Sequence, residues 1–380
     1  MAQTNLGTVA VGAVPSGMAY NPITNKIYVV NMCGNDPSCG RTSPSTVTVI
    51  DGATDATTTI TVGVRAELAA VNILTNKIYF PNIRDNTVSI IDGATNLVTA
   101  IIDVGSGPVG VDVNPFTNRI YVTNTGHYVN NTMSVIDGWT NRVIDTITVG
   151  WAPIVPVVDS LTNKIYVTNE CGNDPNNCST DGSGANETLS VVDGASDKVT
   201  ATLTLGIQPA VTLMNLLTNK VYVLNICGND PTCVVHGNGN TVGTLNVVDG
   251  QTLSNTSINV GLGVSSIAVN PLANQVYVSG GGWCGCSNTL YFINGATLAM
   301  SSMSLASPFD VEVDPLTNEI YVTDYTDNTL IMVDGVTHHT STVGTGPGPQ
   351  VSLVNPITNR IYVINSDSTV SVVAGGWRRQ

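Results

Sequence analysis

One segment recurs eight times along this chain and constrains its fold more than any other feature. Its first copy is Asn21-Pro-Ile-Thr-Asn-Lys-Ile-Tyr-Val-Val-Asn31. Around each copy the same four segments appear in order: a small or apolar segment A, the Ile-Tyr-Val segment B, a Thr-Val-Ser-Val-Ile-Asp-Gly segment C, and a Thr/Val-rich segment D. Val and Thr favour strands, and the Pro, Gly and Asn residues between A and B and between C and D favour tight turns. The repeated tyrosines are Tyr28, Tyr79, Tyr121, Tyr166, Tyr222, Tyr277, Tyr321 and Tyr362.

The repeat predicts a β-propeller. A four-stranded unit of about 40 to 50 residues cannot bury both of its faces alone, and units of this kind pack radially as blades. After Tyr362 the chain supplies only segments A, B and C, whereas residues 7–12 read as a spare segment D. We therefore expect an all-β, eight-bladed β-propeller of four-stranded antiparallel blades, forming a single domain over residues 1–380. The N-terminal strand should complete the last blade beside residues 369–373 and remove two exposed strand edges.

Charge and hydropathy argue against a nucleic-acid partner and against a membrane-spanning segment. Charged residues make up 11% of the chain, and the formal net charge is −14. This charge repels phosphate backbones, so we expect no nucleic-acid partner. No apolar run is long enough to span a bilayer, so we expect that the chain does not cross a membrane.

Eight cysteines in four close pairs predict local disulfides and therefore an oxidising compartment. We expect a secreted, periplasmic or cell-surface protein, in a mature form because the start of the sequence does not resemble a signal peptide. Asp36, Asp174 and Asp230 in the Cys-Gly-Asn-Asp-Pro loops could offer oxygens to Ca²⁺, but stiffening of the loops is the favoured interpretation. The four cysteine pairs are Cys33/Cys39, Cys171/Cys178, Cys227/Cys233 and Cys284/Cys286.

The segments Lys26-Ile-Tyr-Val-Val-Asn31 and Arg119-Ile-Tyr-Val-Thr-Asn124 resemble the motif of the YVTN-repeat β-propeller family. The resemblance extends over nearly the whole chain. It implies a propeller fold, and it implies a function among surface-layer, adhesion and binding proteins, or among propellers similar to lactonases and streptogramin lyases.

The two rims of such a propeller differ in sequence. We call the rim that carries the A–B and C–D turns the turn rim, and the rim that carries the D–A and B–C connections the long-loop rim. The A–B and C–D turns of the turn rim are nearly uniform in length. We expect the basic residues that follow the Thr-Asn pairs of this rim to be solvated, and likewise His338 and His339. Long, variable loops on a rigid scaffold commonly carry binding residues. The long B–C loops are Cys33 to Pro44, Thr125 to Asn131, Cys171 to Asn186, Cys227 to Asn240 and Gly280 to Ser287.

Binding at the long-loop rim is the leading functional hypothesis. Aromatic side chains there permit stacking and burial of a ligand, and a basic sector lies in an otherwise acidic rim. We expect an extracellular binding or surface-interaction protein that engages a small molecule, a glycan or a surface protein. The candidate ligand-binding residues are Trp151, Trp283, Tyr325, Arg65 and Arg84.

The rival hypothesis is a metal-assisted lyase or hydrolase acting at the channel mouth. Alignment of the innermost strands places Asp112 and Glu312 at equivalent positions, and Asp310 shares a strand face with Glu312, where neighbouring carboxylates raise each other's pKa or recruit a divalent cation. A purely structural role for these carboxylates is the alternative. The candidate catalytic residues are His127, His236, Glu67 and Asp310, and the candidate metal ligands are Asp310, Glu312 and Asp112. The eight repeats also suggest a quinone-dependent dehydrogenase, although the recurrent tryptophans of those enzymes are missing.

Overall fold

The computed structural model describes residues 4–174, 187–230, 241–281 and 287–376. Within these ranges thirty-two strands form eight four-stranded antiparallel sheets, arranged as an eight-bladed β-propeller, and helices are absent. The predicted fold class is therefore confirmed. The same ranges hold no helix long and apolar enough to cross a membrane. The chain divides into two compact units, one made of Ala10–Thr204 and the other of Met1–Val9 with Leu205–Gln380.

The first strand, β1 (Asn5–Ala10), belongs to the last blade, and the next sixteen strands form blades 1 to 4. Blade 1 contains β2 (Pro15–Asn21), β3 (Lys26–Asn31), β4 (Pro44–Asp51) and β5 (Thr57–Val64), and blade 2 contains β6 (Ala70–Asn72), β7 (Lys77–Asn82), β8 (Thr87–Asp92) and β9 (Leu97–Asp103). Blade 3 contains β10 (Pro108–Asn114), β11 (Arg119–Asn124), β12 (Thr132–Asp137) and β13 (Arg142–Thr148), and blade 4 contains β14 (Pro153–Asp159), β15 (Lys164–Asn169), β16 (Thr188–Asp193) and β17 (Lys198–Thr204).

The second unit contains blades 5 to 8. Blade 5 contains β18 (Ile207–Asn215), β19 (Lys220–Gly228), β20 (Val242–Asp249) and β21 (Asn255–Leu262), and blade 6 contains β22 (Val264–Asn270), β23 (Gln275–Gly280), β24 (Thr289–Asn294) and β25 (Met300–Ser304). Blade 7 contains β26 (Pro308–Asp314), β27 (Glu319–Asp324), β28 (Thr329–Asp334) and β29 (Thr340–Gly344), and blade 8 contains β30 (Pro349–Asn355), β31 (Arg360–Asn365) and β32 (Thr369–Ala374) with β1.

Apolar clusters lie between neighbouring blades within each unit. All eight repeated tyrosines are fully buried. Tyr28 of blade 1, for example, packs in one cluster with Ile78 and Phe80 of blade 2, and the ring centroids of Tyr28 and Phe80 are 6.5 Å apart. Within each unit a blade thus covers one face of its neighbour, and the repeated tyrosine supplies a large part of that contact.

Asparagine residues fix the A–B turns and also join neighbouring blades. Asn21 accepts a hydrogen bond from the amide of Ile23 and donates one of 2.7 Å to Asn76 in the equivalent turn of blade 2. Asn72 and Asn118 repeat this contact between blades 2 and 3 at 2.8 Å. The last Asn of each turn has a positive φ, which Asn tolerates better than most residues. These residues are Asn25, Asn76, Asn118, Asn163, Asn219, Asn274, Asn318 and Asn359.

Four of the repeated basic residues of the turn rim contact the next blade, so the prediction that they are simply solvated is wrong. These residues are Lys26, Lys77, Arg119 and Lys220. Each is the first residue of its second strand and donates to the glycine carbonyl in the C–D turn of the next blade. Since a cation satisfies several acceptors there at once, it joins two blades as a charge-assisted contact. The donor–acceptor distances are 2.8 Å for Lys26 to Gly93, 3.0 Å for Lys77 to Gly138, 3.0 Å for Arg119 to Gly194 and 2.5 Å for Lys220 to Gly295.

The N-terminal strand completes blade 8, as the sequence predicts, although it spans Asn5–Ala10 rather than residues 7–12. The strand order of the blade is β1-β32-β31-β30. The amide of Ala374 donates to the carbonyl of Thr4 at 3.0 Å. The side chains of β1 are mostly exposed, so the strand stabilises the blade mainly through its backbone.

Deleting residues 1–12 should therefore lower the melting temperature far more than any single substitution within β1. The deletion exposes the unpaired edge of β32, whereas Leu6→Thr alters a side chain that is 49% exposed and keeps the backbone bonds. Thermal unfolding followed by circular dichroism compares the two variants. Equal melting temperatures for the deletion variant and the parent would contradict the closing role of β1.

Replacing Lys77 by Met should reduce the free energy of unfolding by about 1 to 2 kcal/mol, because the carbonyl of Gly138 and the side chain of Asn141 lose their charged donor. Lys198→Met is the matched control, since Lys198 is exposed in β17. Urea denaturation of both variants measures the difference. Two equal values would show that Lys77 contributes as little as an ordinary surface lysine.

Candidate functional site

Long B–C loops occur at the predicted places. Blade 1 inserts residues 32–43 between β3 and β4, whereas blade 2 joins β7 to β8 through residues 83–86 only. The loop of blade 1 is closed by the Cys33–Cys39 disulfide, with a Cα–Cα distance of 4.9 Å. This bridge confirms one of the four predicted pairs. Cys171 and Cys227 are also disulfide-bonded, while Cys178, Cys233, Cys284 and Cys286 lie outside the described residues.

Asp36 organises the loop of blade 1. Its carboxylate accepts hydrogen bonds from the amide of Ser38 at 2.9 Å, the amide of Gly40 at 3.0 Å and the hydroxyl of Ser43 at 2.5 Å. The hydroxyls of Ser38 and Ser43 and these amides hold the pKa of Asp36 well below its ordinary value. Because both carboxylate oxygens are engaged within the loop, the contacts support stiffening rather than a Ca²⁺ site.

Two carboxylates lie at the base of the long loop of blade 4. Glu187 is fully buried, and Glu170 is half-buried. Burial, and secondarily the negative charge of Glu187, raise the pKa of Glu170 to about 7. One oxygen of Glu170, Oε2, is buried without a hydrogen-bond partner in the described structure. A carboxyl group of this kind exchanges a proton near neutral pH, as general acids and bases do.

Side chains from two further blades lie close enough to share this electrostatic environment. Tyr128, in the long loop of blade 3, is 41% exposed and has a positive φ of 71°. The charge of Glu170 is the largest cause of its raised pKa, followed by burial and by the charge of Glu67, whereas Arg65 opposes the shift. We call Arg65, Glu67, Tyr128, Glu170 and Glu187 the Glu170 cluster.

Arg65 and Glu67 form an ion pair at the edge of the Glu170 cluster. The Nε atom of Arg65 lies 2.9 Å from Oε1 of Glu67, and both side chains are partly exposed. An ion pair of this exposure contributes little to stability. Arg65 has a positive φ of 60°, as do Val14 and Ala152 at the equivalent D–A connections, so this backbone conformation belongs to the repeat and does not single out Arg65.

Backbone hydrogen bonds in blade 4 connect Trp151 to the segment that carries Glu170. Its amide donates to the carbonyl of Gly172 at 2.7 Å, and its carbonyl accepts from the amide of Cys171 at 3.1 Å. The amide of Glu170 donates to the carbonyl of Ala152 at 3.1 Å. The backbone of Trp151, whose side chain is half-buried, is therefore bonded to the segment that carries Glu170.

The other predicted residues of the long-loop rim are more scattered. His127 precedes Tyr128 and is exposed, as is Arg84. Tyr325 of blade 7 is 40% exposed, and its ring centroid lies 5.9 Å from that of Phe309. His236 and Trp283 lie outside the described residues. The structure thus brings Arg65, Glu67 and Trp151 to one region of the rim and leaves the remaining assignments as predictions.

The inner-strand carboxylates take the equivalent positions that the sequence alignment predicts. Asp112 and Glu312 pair with the repeated tyrosines Tyr121 and Tyr321 in their blades. Asp112 accepts from the amide of Val158 in the next blade at 2.8 Å. Burial is the largest cause of its pKa of about 6 and of a pKa of about 8 at Glu312, to which the charge of Asp310 adds.

Asp310 joins three blades of its unit. Its carboxylate accepts from the hydroxyl of Ser266 at 2.8 Å, and from both the amide and the hydroxyl of Ser352 at 2.8 Å. These bonds engage both oxygens, so the residues present fit a divalent cation poorly. Within the described ranges, no three His, Cys, Asp or Glu side chains form a metal-binding group. The contacts favour the structural role of Asp310 over the catalytic and metal-binding ones, which remain predictions.

His338 lies on the turn rim and is exposed, as expected. Its ring also stacks on Phe292 of blade 6, with centroids 4.3 Å apart and an interplanar angle of 23°. This contact with the neighbouring blade was not predicted from the sequence.

Comparison with known proteins identifies the fold alone. The sequence matches no family model and no curated protein. Among solved structures, the chain is similar to hydrazine synthase from Kuenenia stuttgartiensis, with a TM-score of 0.64 and 15% identity over 98% of each chain. It is also similar to BamB from Moraxella catarrhalis, with a TM-score of 0.63 and 12% identity over 98% of this chain and 100% of the other. Both similarities support a β-propeller.

The raised pKa of Glu170 predicts a pH-dependent stability. Between its ordinary value of 4.5 and about 7 the folded protein retains a proton that the unfolded chain has released, so this group destabilises the fold progressively as the pH rises. Glu170→Gln should remove the effect. Between about pH 5 and pH 8 the parent should lose about 1 to 3 kcal/mol more than the variant in urea denaturation.

Asp103→Asn serves as the control, because Asp103 is exposed in β9. It should preserve the pH dependence of the parent. If Glu170→Gln showed the same dependence as the parent, Glu170 would titrate as an ordinary surface carboxylate.

Proposed function

We propose that this chain is a single-domain, secreted or cell-surface propeller of the YVTN-repeat type that binds a ligand at its long-loop rim. The repeated Ile-Tyr-Val segments support the family, and the Cys33–Cys39 disulfide supports an oxidising compartment. The Glu170 cluster is the observation that carries the binding function.

The Glu170 cluster differs from the turn rim in what its polar groups do. Lys26, Lys77 and Arg119 of the turn rim are committed to contacts between blades. In the cluster, by contrast, aromatic and charged side chains of three blades come together, and Oε2 of Glu170 has no hydrogen-bond partner in the described structure. Binding sites combine apolar contact area with a few convergent polar groups, and this arrangement has both.

The composition of the Glu170 cluster favours a ligand with hydroxyl groups and a flat apolar face, such as a glycan. Tyr128 and the neighbouring Trp151 offer rings for stacking, while the half-buried Glu170 adds a carboxyl group beside them. A small molecule or a surface protein with the same groups is recognised by the same chemistry. Arg65 adds a donor at the edge of the site.

Acid–base catalysis is the second candidate function, and the pKa of about 7 at Glu170 favours it. A pair of neighbouring carboxylates with different proton affinities can supply one acid and one base in a lyase or hydrolase reaction. Glu187 is the paired carboxylate, and its burial keeps it away from bulk water.

Binding to an immobilised panel of neutral and acidic glycans tests the proposal. Trp151→Ala and Tyr128→Ala should each weaken binding by about 1 to 3 kcal/mol, because a stacked ring is lost. Trp139→Ala is the matched control, since this tryptophan is 75% exposed in a C–D turn of the turn rim. Equal losses in Trp139→Ala and Trp151→Ala would place the binding surface elsewhere.

Glu170→Gln separates binding from catalysis. Assays with aryl esters and lactones measure turnover in the parent and the variant. Turnover that disappears in Glu170→Gln while glycan or substrate affinity persists favours the catalytic function. Absence of turnover in the parent, together with weakened affinity in Glu170→Gln, favours binding alone.

A further inference from the structure

A cleft lies on the turn rim between blades 6 and 7. Its volume is about 490 Å³, within the range of small-molecule pockets. The second unit alone contributes its walls, which come from the C–D turns and neighbouring strands of the two blades. The principal lining residues are Gln275, Phe292, Asn294, Met300, Asn318 and His338.

The cleft occupies the place that a cation fills elsewhere in the repeat. Gln275 is the first residue of β23, the position of Lys26, Lys77, Arg119 and Lys220 in blades 1, 2, 3 and 5. Each of these cations donates to the glycine carbonyl of the next C–D turn. The equivalent glycine in blade 7 is Gly335, which lines the cleft.

The carboxylate opposite the cation is also replaced in blade 6. Lys26 pairs with Asp51 across β3 and β4, whereas Gln275 pairs with Asn294 across β23 and β24. The loss of one charged partner is therefore matched by the loss of the other, and the Gln275 side chain is shorter than that of a lysine.

The surroundings still favour positive charge. Hydrogen bonds from Thr54 and Thr95 are the main causes of the lowered pKa values of Asp51 and Asp92, and the charge of Lys26 makes a smaller contribution to both. The repeated cation therefore lies within electrostatic reach of the C–D turns of its own blade and of the next. Blade 7 keeps a carboxylate at the position of Asp92. This residue is Asp334, which precedes Gly335. Its Oδ1 accepts from the amides of Val336 and Thr337, at 2.9 and 2.7 Å.

One wall of the cleft is aromatic and apolar. Phe292 stacks on His338 and meets Tyr277 edge to face at a centroid distance of 5.7 Å. Met300 is 46% exposed beside it. This wall suits the hydrocarbon or aromatic body of a ligand, while the carbonyl of Gly335 suits an ammonium donor.

We propose that this cleft binds an organic cation, a primary amine on an apolar body, whose ammonium group takes the place of the missing lysine at Gly335. The apolar body lies along Phe292 and Met300. This site is on the opposite rim from the Glu170 cluster, so the inference goes beyond the proposed function and does not depend on it.

Three ligands of similar shape test the charge requirement on the unmodified protein. They are 2-phenylethylamine, 2-phenylethanol and 3-phenylpropanoate, and ligand-detected NMR titration measures each affinity. The amine should bind at least about tenfold more tightly than the alcohol, because a charged donor strengthens the hydrogen bond, and the carboxylate should bind most weakly. Equal or tighter binding of the alcohol or the carboxylate would overturn the proposal.

Gln275→Lys tests the location. The new lysine restores the contact with Gly335 from within the chain, so it should weaken 2-phenylethylamine binding by about tenfold or more. Ala53→Lys adds the same charge at an exposed turn position that does not line the cleft, and should leave binding unchanged. Trp151→Ala should also leave it unchanged. Full affinity in Gln275→Lys, or equal losses in Gln275→Lys and Ala53→Lys, would refute the site.

Discussion

The fold depends on the fact that a four-stranded sheet has two faces and covers neither by itself. Each blade must therefore be buried by its neighbours, and the repeated tyrosines supply the largest part of that contact from within the sheet. Once blades are packed in this way, polar groups at their edges must also find partners between blades. The asparagine contacts such as Asn21 with Asn76, and the cations such as Lys77, meet this requirement at the turn rim.

This requirement separates the roles of the two rims. Turns whose side chains bind the next blade cannot vary without loss of stability, which accounts for their uniform length and sequence. The B–C connections, by contrast, differ in length from blade to blade. Chemistry can therefore accumulate in them, as at Glu170 and Tyr128, or in a turn where the structural partners have been lost together, as at Gln275 and Asn294.

The sequence predicts the strands, the turns and the closing strand because each follows from a local pattern repeated many times. It also aligns Asp112 with Glu312, which the strand register confirms. The contacts between blades are harder to infer. The sequence predicts a solvated Lys26, whereas in the structure it faces Asp51 across β3 and β4 and its ammonium group reaches Gly93 of the next blade. Tyr128 and Glu187 were missed for the same reason, since residues brought together from separate blades leave no compact motif, and burial of a carboxylate has no signature in the sequence.

Blade 8 combines the two ends of the described chain. The side chain of Asn5 donates to the carbonyl of Gly344, at a sequence separation of 339, and β1 lies beside β32 in one sheet. During synthesis the first strand must therefore wait, unpaired, until the last strand has been made, so this contact forms late and slowly. Any segment that precedes residue 5 or follows residue 376 departs from the same blade, and two modules attached at these points would be held side by side.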